Sequence, residues 1–225
     1  RNTFKLLKNT VFHSSKLSFC IILQIIKMWS SKVRITAIAE LLSISKKSVS
    51  RFITKMGKKI VNQYYNEQRI IGGSGVIVEI DESKFGKVKY NRGHRVEGVW
   101  VLGLVERTPE RRIVLVPVND RTRNTLEEIL KKHVHPEYII HSVSFRSYDK
   151  LKNIFAGHKK VNHSQYFVDP STGIHTNTIE GNWHGVKDQI SVRHRSKKFI
   201  ELYLIRYSPR RNHKDIFQEI IKLLL

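Results

Sequence analysis

Three short runs dominated by β-branched and aliphatic residues constrain this chain more than any other feature: Val76-Ile77-Val78-Glu79-Ile80, Val99-Trp100-Val101-Leu102-Gly103-Leu104-Val105 and Arg112-Ile113-Val114-Leu115-Val116-Pro117-Val118. Each suits one strand and is too short for a globular helix, and charged or glycine-bearing turns separate them. They predict a three-stranded meander. Upstream, Gly72-Gly73-Ser74-Gly75 is the clearest linker, where a helical period gives way to a strand period. The expected organisation is a helical N-terminal region over 1–71, a linker at 72–75 and a second domain over 76–225.

Downstream of the meander, Thr125 to Lys132 reads as a helix and Tyr138-Ile139-Ile140 as a short strand, followed by a helix around Tyr148 to Phe155 and a last helix through Ile179 and Lys187. Three strands followed by alternating helix and strand indicate an α/β (α+β) fold. That order is the one of the ribonuclease H-like fold, a mixed sheet flanked by helices that carries its carboxylates at strand ends and on one late helix.

Within the N-terminal region, residues 35–65 have the pattern of a helix-turn-helix: Thr36 to Leu42, a break at Ser43-Ile44-Ser45, then Lys46 to Tyr64. Ser45 can cap the second helix, and Val49, Phe52, Ile53 and Met56 give it a core face. Lys46, Lys47, Ser48, Ser50 and Arg51 are left to face a groove and phosphates. A plain basic helical hairpin has the same pattern.

The charge supports a polyanionic partner. Among 225 residues, 41 Lys and Arg against 19 Asp and Glu give a net charge of +22, and such a surface repels itself unless it meets an anion. Double-stranded DNA is the expected partner. No apolar run approaches the ~20 residues needed to cross a bilayer, so no membrane partner is expected. The single cysteine, Cys20, excludes an internal disulfide and a cysteine-rich zinc site, and its apolar neighbours predict a core thiol. His94, His133, His135, His158, His163 and His194 are scattered without ligand spacing, and most of them are expected at the surface. The chain begins at Arg1 rather than methionine, which suggests a fragment.

Two acids stand out. Asp81 follows the first strand run directly, and at helical pitch Ile179, Trp183, Val186 and Ile190 form an apolar stripe beside Glu180, His184 and Lys187. Converging carboxylates of this kind hold paired divalent ions ~3.5–4 Å apart for phosphoryl transfer, and oxygen ligands suit magnesium or manganese. A lysine such as Lys187 can position a phosphate. Gly181 and Gly185, one turn apart, fit either close backbone approach to DNA or the sheet, or helix packing.

The strings Ile80-Asp81-Glu82-Ser83-Lys84-Phe85-Gly86 and His175-Thr176-Asn177-Thr178-Ile179-Glu180, with Trp183 and Lys187, resemble the DDE transposases of the Merlin superfamily and their bacterial insertion-sequence relatives, the ISXO-like transposase domain. The resemblance runs from about Thr10 to the C-terminal end, and its late motif is the specific part. It implies cut-and-paste DNA transposition by two Mg2+ or Mn2+ ions, metal ligands at Asp81 and Glu180 with Lys187 beside them, and terminal inverted repeats and target DNA as partners. It also implies a homodimer in a synaptic complex, nuclear localisation if the host is eukaryotic, and a zinc ribbon upstream of the residues present.

The second acid of that pattern is missing. The family motif places Ser-Asp after the short strand, and this chain has Ser142-Val143-Ser144-Phe145-Arg146-Ser147-Tyr148, with Val143 at the acidic position. Valine cannot ligate a cation, so the copy is expected to be catalytically impaired, or to be a non-catalytic sequence-specific DNA-binding protein derived from a transposase. A misplaced alignment or rescue by Asp149 are the alternatives. His175 and Asn177 are expected to order the turn that opens the last helix. Arg193, Arg195, Lys197, Lys198, Arg210 and Arg211, in the two densest basic runs, are expected to contact DNA phosphates.

Overall fold

The computed structural model describes residues 10–13, 15–68, 70–72, 75–86, 98–212 and 215–225. In chain order its elements are α1 (Phe19–Ser30), α2 (Ile35–Leu41), α3 (Lys46–Glu67), β1 (Ile77–Phe85), β2 (Val99–Glu106), β3 (Ile113–Val118), α4 (Arg123–His133), β4 (Ile139–Val143), β5 (Gly157–Val161), α5 (Asn177–Gln189), α6 (Ile200–Arg211) and α7 (Ile216–Leu224). They pack into two compact units, Arg1–Glu67 with Lys214–Leu225, and Gln68–His213.

The helical unit follows from apolar spacing. Ile22, Ile25, Ile26 and Trp29 bury one face of α1, and Val49, Phe52, Ile53, Met56 and Ile60 bury one face of α3. Ser45 Oγ accepts the backbone N–H of Ser48 at 3.1 Å, the expected cap of α3. Cys20 lies off the buried stripe of α1 and is exposed, correcting the expected core thiol. The division between units also differs from the one read in the sequence, which placed 76–225 together. α7 buries Ile216, Ile220, Leu223 and Leu224 and packs on α1 and α3. Among the described residues no helix is long and apolar enough to cross a membrane.

In the second unit the expected meander forms, with β1 antiparallel to β2 and β2 antiparallel to β3. The sheet order is β3-β2-β1-β4-β5, with β4 parallel to β1 and β5 parallel to β4. This mixed sheet with the late helix α5 on it is the ribonuclease H-like arrangement. Strand alternation builds two cores. Val78, Ile80, Leu102 and Leu104 meet Leu126 and Leu130 of α4 on one face, and Phe85, Val99, Val101 and Val105 meet Ile179, Trp183 and Val186 of α5 with Tyr203 and Leu204 of α6 on the other.

Two local expectations change. β1 continues to Phe85, which pairs with Val99, so Asp81 lies within the strand rather than at its end. The helix expected near Tyr148 to Phe155 is replaced by two short 3-10 turns, Arg146–Tyr148 and Leu151–Asn153. Tyr148, Leu151 and Phe155 are buried at spacings that imitate a helix, but the chain folds back to supply β5. Gly72 and Gly75 take φ of +102° and +75°, conformations that suit glycine, while Gly73, Ser74 and His94 lie outside the described residues.

Candidate active site

The site begins with the alternation of β1, which puts Glu79, Asp81, Ser83 and Phe85 on the face covered by α5. Glu79 is fully buried, and its Oε2 accepts the backbone N–H groups of Thr178 at 2.8 Å and Ile179 at 3.0 Å. A carboxylate therefore caps the first turn of α5, where the helix dipole favours negative charge. Arg107 donates to Glu79 from Nε at 2.5 Å and to the His175 carbonyl from Nη2 at 2.6 Å. His175 Nδ1 accepts the Asn177 N–H at 3.3 Å, so His175 orders the start of α5 as its position suggests.

One turn further, Trp183 fixes the helix over the sheet. Its Nε1 donates to Asp81 Oδ2 at 2.9 Å, and its ring packs edge-on to Phe85 with centroids 6.1 Å apart. Gly103 of β2 makes this possible, because a Cβ there would lie 2.6 Å from Trp183 Cη2 and 2.7 Å from Ile179 Cδ1. Gly181, by contrast, faces open space, and a Cβ on Gly185 would meet Tyr207 Oη at 3.2 Å. The close approach to the sheet belongs to a glycine of the strand.

Glu180 lies in the first turn of α5 and is half-buried. Its Oε1 accepts the Thr176 hydroxyl at 2.9 Å and sits 3.2 Å from His163 Nε2. Burial pushes the Asp81 carboxyl above its ordinary value; Trp183 and the Glu82 backbone N–H oppose the rise, and the charge of Glu180 adds to it. Burial first, then the charge of Arg195, lowers the Lys187 ammonium, while Asp81 opposes. Lys187 Nζ lies 5.6 Å from the centre of the Phe85 ring. Asp81, Glu180, His163 and Lys187 thus share one electrostatic neighbourhood. His163, one of the scattered histidines, is a member of it that no spacing in the sequence marks.

Val143 ends β4 beside this neighbourhood. In the parallel ladder Ile80 pairs with Ser142, so the next residues along, Asp81 and Val143, occupy adjacent positions on β1 and β4. Asp149 does not substitute: it is exposed and accepts from Lys160 Nζ at 2.8 Å. Among the described residues no group of three or more His, Cys, Asp or Glu side chains could hold a metal ion. The side chains present do not fit a two-ion centre, because Asp81 and Glu180 are left as two carboxylates and Val143 offers no ligand oxygen.

On the opposite face of β1, Glu82 accepts from the Tyr148 hydroxyl, and Arg121 lies 3.9 Å away. Burial and the charge of Asp81 push Glu82 up to about 7, against the pull of Arg121.

The residues expected to touch DNA divide. Lys46, Lys47, Ser50 and Arg51 are exposed, whereas Ser48 is half-buried and bonds to Ser45. Lys197 and Lys198 are exposed. Arg195 instead turns inward, donating to the carbonyls of Ile190, at 2.8 Å, and Lys187, which completes the C-terminal turn of α5. Arg211 donates to Asn182 Oδ1 at 3.2 Å and lines a hollow with Arg107, Arg111 and His175. The side chains of Arg193 and Arg210 lie outside the described residues.

Comparison with known proteins gives three likenesses. The sequence profile of the ISXO2-like transposase domain matches residues 71–212. An "Uncharacterized transposase-like protein" of Haemophilus influenzae is 32% identical over 97 residues, 43% of this chain and 77% of that protein. Among solved structures, the "Crystal structure of the Mos1 Strand Transfer Complex" aligns over 86% of this chain and 76% of that chain at 12% identity, with a TM-score of 0.21. The fold assignment rests on the strand order rather than on that superposition.

Proposed function

The chain belongs to the ISXO2-like transposase domain family, and from that premise we propose that it is a DDE-class transposase domain that binds double-stranded DNA but is impaired in strand cleavage at Val143. The observation that supports the reading is the ladder between β1 and β4, in which Ile80 pairs with Ser142, each one residue before Asp81 and Val143, with valine where the family motif has an acid. Asp81 and Glu180 keep two of three carboxylates in reach of each other, with Lys187 beside them to meet a phosphate.

Basic side chains left exposed on α3 and between α5 and α6 support phosphate contacts with element ends and target DNA. A dimer would bring two element ends together. The deciding experiment replaces Val143→Asp and assays magnesium-dependent nicking of DNA carrying the terminal repeats of the element. Cleavage that appears with Val143→Asp and disappears again with Asp81→Asn is the expected result. Unchanged inactivity in a folded Val143→Asp protein that still binds DNA would favour the second reading, a non-catalytic DNA-binding protein of transposase descent.

A further inference from the structure

The segment between β5 and α5 is held firmly yet presents apolar side chains to water. The carbonyl of Asn162 accepts the N–H groups of Gln165 and Tyr166, both at 2.9 Å, at its start. At its end Val168 bridges His175, the Asp169 N–H donates to the Ile174 carbonyl at 2.9 Å, and Asp169 Oδ1 accepts from Ser171 and Thr172. Between these ties Tyr166 is 52%, Phe167 71% and Val168 43% exposed. Two consecutive exposed aromatic side chains on a hydrogen-bonded backbone suit a contact surface.

Its position selects the occupant. The Phe167 ring lies 5.9 Å from the ring of His163, and His163 Nε2 lies 3.2 Å from Glu180 Oε1. A DNA strand whose phosphate meets Lys187 and that runs on past Glu180 and His163 would present a base to Phe167. We propose that Tyr166 and Phe167 form a stacking platform for a base unpaired from the DNA strand that passes Glu180; this rests on the DNA binding proposed above. An aromatic side chain has few rotatable bonds to immobilise when a base stacks on it, and stacking tolerates any sequence because every base has a π-face.

The test uses the whole chain and two short duplexes of the same sequence, one fully paired and one with a 2-aminopurine opposite an abasic site. The expected result is quenching of the 2-aminopurine on binding and tighter binding of the unpaired duplex. Phe167→Ala is expected to lose roughly tenfold in affinity for the unpaired duplex only, while Phe167→Trp retains it. Quenching that survives in the double variant Tyr166→Ala with Phe167→Ala overturns the proposal, as does equal weakening of both duplexes. A change confined to self-association, read by sedimentation, would assign the patch to a second copy of the chain and overturn it too. Binding of the paired duplex without any quenching sinks this inference alone; binding of neither duplex sinks it together with the DNA-binding reading.

Discussion

Glu79 is the residue on which the placement of the site rests, although it is not one of the acids a sequence motif draws attention to. Its carboxylate joins Arg107 to the first amides of α5 in a buried setting. Glu79→Ala leaves the Arg107 guanidinium and two helix amides without that partner, and a loss of about 3–5 kcal/mol in urea unfolding is expected. Glu82 gives a pH signature. Its carboxyl is raised from 4.5 to about 7, so the folded state binds the extra proton between these values and the stability it contributes is lost as pH rises through them. Buried His133 and His141 and half-buried His158, each lowered to about 4, act in the opposite sense and lose stability as pH falls below 6.5. The difference between Glu82→Gln and the parent isolates the carboxyl: near zero below pH 4.5, and increasingly in favour of the variant up to pH 7. A difference that stays flat across this window would refute the assignment. Asp81 and Glu180 are legible in the sequence because each stands beside an apolar pattern of known period. His163 is not, because a loop residue gains its role only when the chain folds back.

At the level of elements, α5 owes its seat to β2. Gly103→Ala would drive a methyl into Trp183 and Ile179, and about 1–3 kcal/mol of destabilisation is expected in thermal unfolding. Gly181→Ala on the exposed side of the same helix meets nothing within 4 Å and should add about 0.5–1 kcal/mol. Finding the two substitutions equivalent would contradict the seating of the helix. The stripe of Ile179, Trp183, Val186 and Ile190 is plain in the amino-acid order because one face of the helix is buried for its whole length. β5 is not. Its Gly157-His158-Lys159-Lys160-Val161 is an edge strand with polar and charged residues, which removes the alternation that reveals a half-buried strand. The 3-10 turns before it mislead for the converse reason, since Tyr148, Leu151 and Phe155 repeat at a helical interval without a helix.

For the whole molecule, the charge of +22 predicts binding governed by counterion release. If six to ten phosphates are contacted, affinity should fall by roughly 10³–10⁵ between about 50 and 200 mM salt; a nearly flat salt dependence would remove phosphate contacts from the account. The division of the chain makes a second demand. Deleting residues 215–225 takes away the apolar face of α7 and should raise amide exchange in α1 and α3 while leaving the β1–β3 amides protected. That division also sets the order in which the protein can mature on a ribosome. Residues 68–213 are translated before the segment that α1 and α3 need. α1 and α3 therefore wait for α7, with part of their apolar faces open to chaperones until it emerges. A premature stop codon ahead of α7 would release a folded sheet joined to helices that lack their last partner.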